Sequence, residues 1–94
     1  MVSFIDKSVV ITGSASGMGA ASAREFAESG ANVTIVDINE KLAKKVAAEI
    51  GAKNLIIGDV GNSNFCNKVI ENIIQRYVGI DIQVNCAGTI IRYD

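Results

Sequence analysis

Eight residues near the amino end, Thr12-Gly13-Ser14-Ala15-Ser16-Gly17-Met18-Gly19, constrain the fold of this chain more than any other segment. They follow a short apolar run, Val9-Val10-Ile11, and open an alanine-rich stretch, which is the pattern of a strand turning into a helix. Gly13 permits a sharp bend, Gly17 lets the backbone lie close to a pyrophosphate, and Gly19 lets the helix pack tightly on the strand. The unpaired N–H groups of the first helical turn, at the positive end of the macrodipole, would face the phosphates. Such a turn also occurs as plain punctuation between elements. Asp37 strengthens the dinucleotide reading, because it ends the next apolar run (Val33, Ile35, Val36) near the roughly 20-residue offset at which an acid binds ribose hydroxyls.

With 94 residues, 49% of them apolar, the chain can build one modest core and reads as a single domain over residues 1–94. Nine Lys plus Arg against ten Asp plus Glu leave a formal charge of −1, with Lys44-Lys45 the one adjacent basic pair. That balance gives no field for nucleic acid or an acidic membrane. No apolar run approaches bilayer length, and the segment from Met1 to Lys7 lacks the basic start and long apolar stretch of a secretory signal. Cys66 and Cys86 lack C-x-x-C spacing and fall in segments that read as a helix and a strand, so free thiols and a cytoplasmic location are expected, without metal or disulfide. Histidine is absent, which removes it as a general base or metal ligand within these residues.

Apolar runs alternate with longer segments of helical period, the pattern of repeated βαβ units around a buried parallel sheet. The expected strands are Ser8 to Thr12, Asn32 to Val36, Asn54 to Ile57 and Asp81 to Asn85. The first helix should run from about Gly17 to Ser29, with its alanines forming a thin face toward the sheet, Phe26 in the core and Gly30 stopping it. The second should begin after Asn39 as N-cap, align Leu42, Val46 and Ile50 inward, and stop at Gly51. The third should follow Asn62 or Ser63, turn Phe65, Val69, Ile70, Ile73, Ile74 and Tyr77 to the core, and end near Gly79. Right-handed crossovers in the doubly wound arrangement place the strands in the order 3-2-1-4, with the first strand central and its carboxyl end carrying the glycine turn.

The glycine turn, Asp37 after the second strand, Asp59-Val60 after the third, and Asn85-Cys86-Ala87-Gly88 after the fourth together resemble the short-chain dehydrogenase/reductase family. The resemblance runs from Lys7 to Gly88. It implies a partial α/β, Rossmann-like doubly wound sheet of four strands and three helices, and an oxidoreductase that transfers hydride between a nicotinamide cofactor and a small alcohol or carbonyl substrate. Residue by residue, it implies that Gly13, Ser16, Gly17, Met18 and Gly19 surround the adenosine ribose and pyrophosphate. It also implies that Asp37 accepts hydrogen bonds from the ribose hydroxyls and repels a 2′-phosphate. Family members that prefer NADP carry a basic residue where this chain has Ser16 or Ile38, so NAD is the cofactor expected here. Asp59 and Val60 would grip adenine, the carboxylate accepting from the exocyclic amine; read alone, Asp59 could equally cap a turn. Asn85, Ala87 and Gly88 would lie beside the cofactor's ribose.

Two departures qualify the resemblance. Cys86 stands where the family has a second asparagine, and a thiol is a weaker hydrogen-bond partner. The family's Tyr-x-x-x-Lys pair is missing from these residues: Tyr77 has Asp81 four positions on, and only Asp94 follows Tyr93. Without a nearby cation a tyrosine keeps its proton at neutral pH. The expectation is therefore the amino-terminal, cofactor-binding part of such an enzyme, inactive alone and prone to self-association through an exposed sheet edge or apolar faces. The alternatives are a non-catalytic dinucleotide-binding or oligomerisation module and, remotely, a methyltransferase fragment. Against the last, Ile11-Thr12 stands ahead of the glycines where those enzymes tend to place an acid.

Overall fold

The computed structural model describes residues 3–13, 17–77 and 79–86. Its elements follow in the order β1 (Ser8–Thr12), α1 (Gly17–Glu28), β2 (Asn32–Asp37), α2 (Glu40–Ile50), β3 (Asn54–Ile57), α3 (Ser63–Tyr77) and β4 (Ile82–Asn85). The strands form one sheet in the order β3-β2-β1-β4, and every pairing is parallel. The expected order 3-2-1-4 is the one found. β1, buried along its whole length, lies between β2 and β4.

Alternation along the strands divides the interior into two cores. Val9 and Ile11 of β1 and Val33 and Ile35 of β2 pack with Ala23 of α1 and with Ala43, Val46 and Ala47 of α2. Val10 and Val36, from the opposite face, pack with Val69 and Ile73 of α3. The winding therefore reverses between β3 and β4, which leaves the carboxyl end of β1 at the switch point where ligands of open α/β sheets collect.

The helix ends follow the expected signals. Asn39 caps α2 by accepting the Leu42 N–H on its side-chain oxygen, and Gly51 ends the helix in the left-handed region at φ 69°. Phe26 joins the core and meets Phe4 edge to face, with ring centroids 5.1 Å apart. Small differences appear at the margins: β2 extends to Asp37, β4 begins at Ile82 rather than Asp81, and α1 ends at Glu28.

Two side chains expected in the core are exposed, Leu42 at 44% and Ile74 at 49%. In α2 the small Ala43 and Ala47 sit at the centre of the buried stripe, which turns Leu42 roughly a quarter turn away to the rim. In α3 the row Phe65, Val69, Ile73 and Tyr77 faces the sheet, and Ile74 falls outside it.

Candidate functional site

The carboxyl ends of the four strands hold the described part of the glycine turn, Asp37, the Asp59-Val60 pair and Asn85. β1 ends at Thr12, which is tied twice to the end of β4. Its Oγ1 donates to Asn85 Oδ1 at 3.0 Å, and its carbonyl accepts the Cys86 N–H at 2.9 Å. Gly13 then turns at φ 70°, a conformation that disfavours side chains, and its N–H donates to the Val36 carbonyl at 2.9 Å. The chain enters α1 at Gly17, where an added Cβ would meet nothing within 4 Å among the described residues. Met18 is 80% exposed, whereas Gly19 is buried against the sheet. Ser16, Ala87 and Gly88 lie outside the described residues.

Asp37 ends β2, and hydrogen bonds on its side chain and its carbonyl help to fix it. Its Oδ1 accepts the Asn39 N–H at 2.9 Å, and its carbonyl accepts the Gly58 N–H at 3.0 Å, which joins it to the end of β3. Ile38, between Asp37 and the cap of α2, is 69% exposed. Asp59 forms a turn: its Oδ1 accepts the Gly61 N–H at 2.8 Å and its carbonyl accepts the Asn62 N–H at 3.0 Å. The turn-forming reading of Asp59 is thus realised, and an ionised carboxylate with one oxygen so engaged keeps capacity to accept further bonds. Val60 packs on the α3 core, and its carbonyl accepts the Cys66 thiol at 3.0 Å.

The described residues suit a dinucleotide: open space at Gly17, main-chain donors at a helix start, and two carboxylates on neighbouring strand ends. Two contributors escaped the sequence reading. Asn39 was read as a helix cap alone, yet its N–H also orients the Asp37 carboxylate; the Asp-x-Asn spacing was the available signal. The sequence marks Thr12 only as part of the turn, whereas in the structure its hydroxyl joins β1 to Asn85. A recess of about 220 Å³ lies at the opposite, amino end of the sheet, bordered by Gly30, Asn32, Ile50, Lys53 and Tyr77. None of the expected site residues reaches it. Among the described residues no group of three His, Cys, Asp or Glu could hold a metal ion, and no helix is long and apolar enough to cross a membrane.

The strand order and the reversal at β1 define a Rossmann-like, doubly wound α/β protein. Comparison with known proteins makes this narrower. The short chain dehydrogenase family matches residues 7–93, and the chain belongs to that family. A 2,5-dichloro-2,5-cyclohexadiene-1,4-diol dehydrogenase of Sphingobium indicum is 44% identical over 88 residues, which cover 89% of this chain and 35% of that protein. A crystal structure of a short chain dehydrogenase from Bacillus anthracis superposes with a TM-score of 0.81 at 34% identity, over 87% of this chain and 35% of that one. A crystal structure from Brucella melitensis, named ribose-5-phosphate isomerase, reaches a TM-score of 0.85 at 34% identity, covering 97% of this chain and 36% of that one. The chain therefore spans about a third of the length of the relatives it matches. That family is one of oxidoreductases that use nicotinamide cofactors.

Proposed function

We propose that this chain is the NAD-binding part of a short-chain dehydrogenase/reductase-type oxidoreductase, acting in the cytoplasm on a small alcohol or carbonyl compound. The observation that carries the reading is the convergence of Gly13, Gly17, Asp37, Asp59, Val60 and Asn85 at the carboxyl ends of adjacent parallel strands. The nicotinamide group, when bound, supplies a hydride acceptor or donor. The protein's part is to seat it. The N–H groups at the start of α1 would meet the pyrophosphate, and the open space at Gly17 would admit it. Asp37, held in orientation by the Asn39 N–H, would accept the adenosine ribose hydroxyls and repel a 2′-phosphate, which favours NAD over NADP. Asp59 and Val60 would receive adenine, and Asn85, Ala87 and Gly88 would border the ribose. Hydride transfer belongs to the whole protein, since no Tyr-x-x-x-Lys pair occurs in these residues. The outer edge of β4, whose four residues are only partly buried, supports self-association, which light scattering on the purified chain reads directly.

Titration calorimetry with NAD and NADP tests the assignment. NAD should bind more tightly, and Asp37→Ala should weaken NAD by about 1 to 3 kcal/mol, roughly ten- to a hundredfold, while narrowing the gap to NADP. Unchanged affinity in that variant would remove Asp37 from the site. Gly17→Val should leave the fold in place, because its side chain enters open space, and should abolish binding. A folded valine variant that binds normally means the loop has been assigned wrongly.

A further inference from the structure

Gly58 sits between β3 and the Asp59-Val60 pair. A methyl group built on it would lie 2.2 Å from Phe65 Cε1, with Cζ at 2.5 Å and Cδ1 at 2.6 Å, so the phenyl ring occupies the volume of a side chain at position 58. The left-handed glycines described are Gly13, Gly30 and Gly51; at Gly58 the ring, not the backbone conformation, demands the absence of a side chain. The start of α3, which carries the ring, is anchored as well. The Phe65 N–H donates to Asn62 Oδ1 at 3.0 Å, and the side chain packs against the core of Val10, Val36, Val69 and Ile73. The next residue, Cys66, donates its thiol proton to the Val60 carbonyl. Gly58 also donates to the Asp37 carbonyl, so the ring backs a junction between the two strand ends that carry the adenosine contacts.

We propose that Gly58 and Phe65 form a complementary pair that holds Asp59 and Val60 at the height the adenine base requires, which makes Phe65 a positioning residue for base selectivity. This rests on the adenine role assigned to Asp59 and Val60 above. A substituent at position 58 must displace either the ring or the turn, and a displaced turn carries the Asp59 carboxylate away from the exocyclic amine. The loss is specific to the base. AMP presents that amine as a donor, whereas IMP presents a carbonyl oxygen, which a carboxylate rejects.

The experiment compares the affinities of AMP and IMP by titration calorimetry, with circular dichroism reporting the fold. The unaltered chain should favour AMP by about tenfold or more. Gly58→Ala should reduce the preference to about threefold or less, and Phe65→Leu added to Gly58→Ala should restore most of it, because the shorter side chain leaves room for the new methyl. A merely structural pair would weaken both nucleotides together and leave their ratio in place. Should Gly58→Ala fail to fold, Phe65→Leu alone carries the test, since it adds no clash and removes the ring's support: a reduced AMP preference supports the pair. An unchanged ratio in the folded variants, or a double variant no better than the single one, overturns the proposal while leaving the cofactor assignment standing. Failure of the unaltered chain to bind AMP would overturn the adenine assignment and the pairing with it.

Discussion

The two faces of the sheet are made of different chemistry. Toward α1 and α2 the strands present the apolar Val9, Ile11, Val33, Ile35, Leu55, Ile57, Ile82 and Val84, with Asp37 following on that face only at the end of β2. Toward α3 the apolar Val10, Val36 and Ile56 alternate with polar side chains that tie strand to strand. Asn54 donates to its register partner Thr34 at 3.0 Å and to Asn72 of α3 at 3.1 Å. Thr12 and its register partner Asn85 are joined in the same way across β1 and β4. The α3 face is also packed less completely. A cavity of about 20 Å³, bordered by Val10, Thr12, Val60, Cys66 and Gln83, has room for a single water, and Gln83 Oε1 is buried without a partner among the described residues. Burial on the first face is non-directional and sets how much the fold is stabilised. The directional bonds on the second set register, and they reach the candidate site through Asn85.

Urea denaturation can break this comparison at its strongest point. Ile35→Ala, on the apolar face at a position with no exposure, should cost about 2 to 5 kcal/mol through lost transfer energy and a residual cavity. A cost below that of the polar-face variants would invert the division. Asn54→Ala, on the α3 face, should cost about 1 to 3 kcal/mol, because the buried Thr34 hydroxyl and the Asn72 oxygen each lose their bond to it. If its stability matched the parent, the polar ties would be ornaments of an apolar core. Thr12→Val keeps the shape and deletes one bond to Asn85, so its effect on stability should be about 1 kcal/mol. An undiminished midpoint in that variant would mean that β4 is held by the backbone ladder alone.

Much of this arrangement was legible in the residues. Apolar runs with β-branched side chains marked all four strands, and Asn39 and Gly51 bounded α2 because capping is a local interaction that needs no knowledge of the rest of the chain. The strand order followed from the handedness of crossovers. Leu42 and Ile74 were misjudged because periodicity reports that a residue lies near an apolar stripe, whereas exposure depends on which part of that stripe touches the sheet. In α2 the alanines make the closest approach and push the larger leucine to the rim. At the candidate site, residue type and order single out Gly13, Gly17, Asp37, Asp59 and Asn85, and the fold brings these positions to the carboxyl ends of the strands. The bond from the Asn39 N–H to Asp37 and the ring of Phe65 over Gly58 are not singled out in that way, since neither residue type advertises that task.

By itself the sequence determined that the chain alternates strands and helices, where each begins and ends to within a residue or two, and which turn is glycine-rich, because these depend on backbone preferences and spacing within a few residues. Tertiary structure decided that the polar strand residues fall together on the α3 face, that Thr12 meets Asn85 across 73 positions, and that an aromatic ring fills the place of a missing side chain. Those outcomes depend on register and on the closest approach of elements far apart along the chain, and such distances exist only once the sheet has formed.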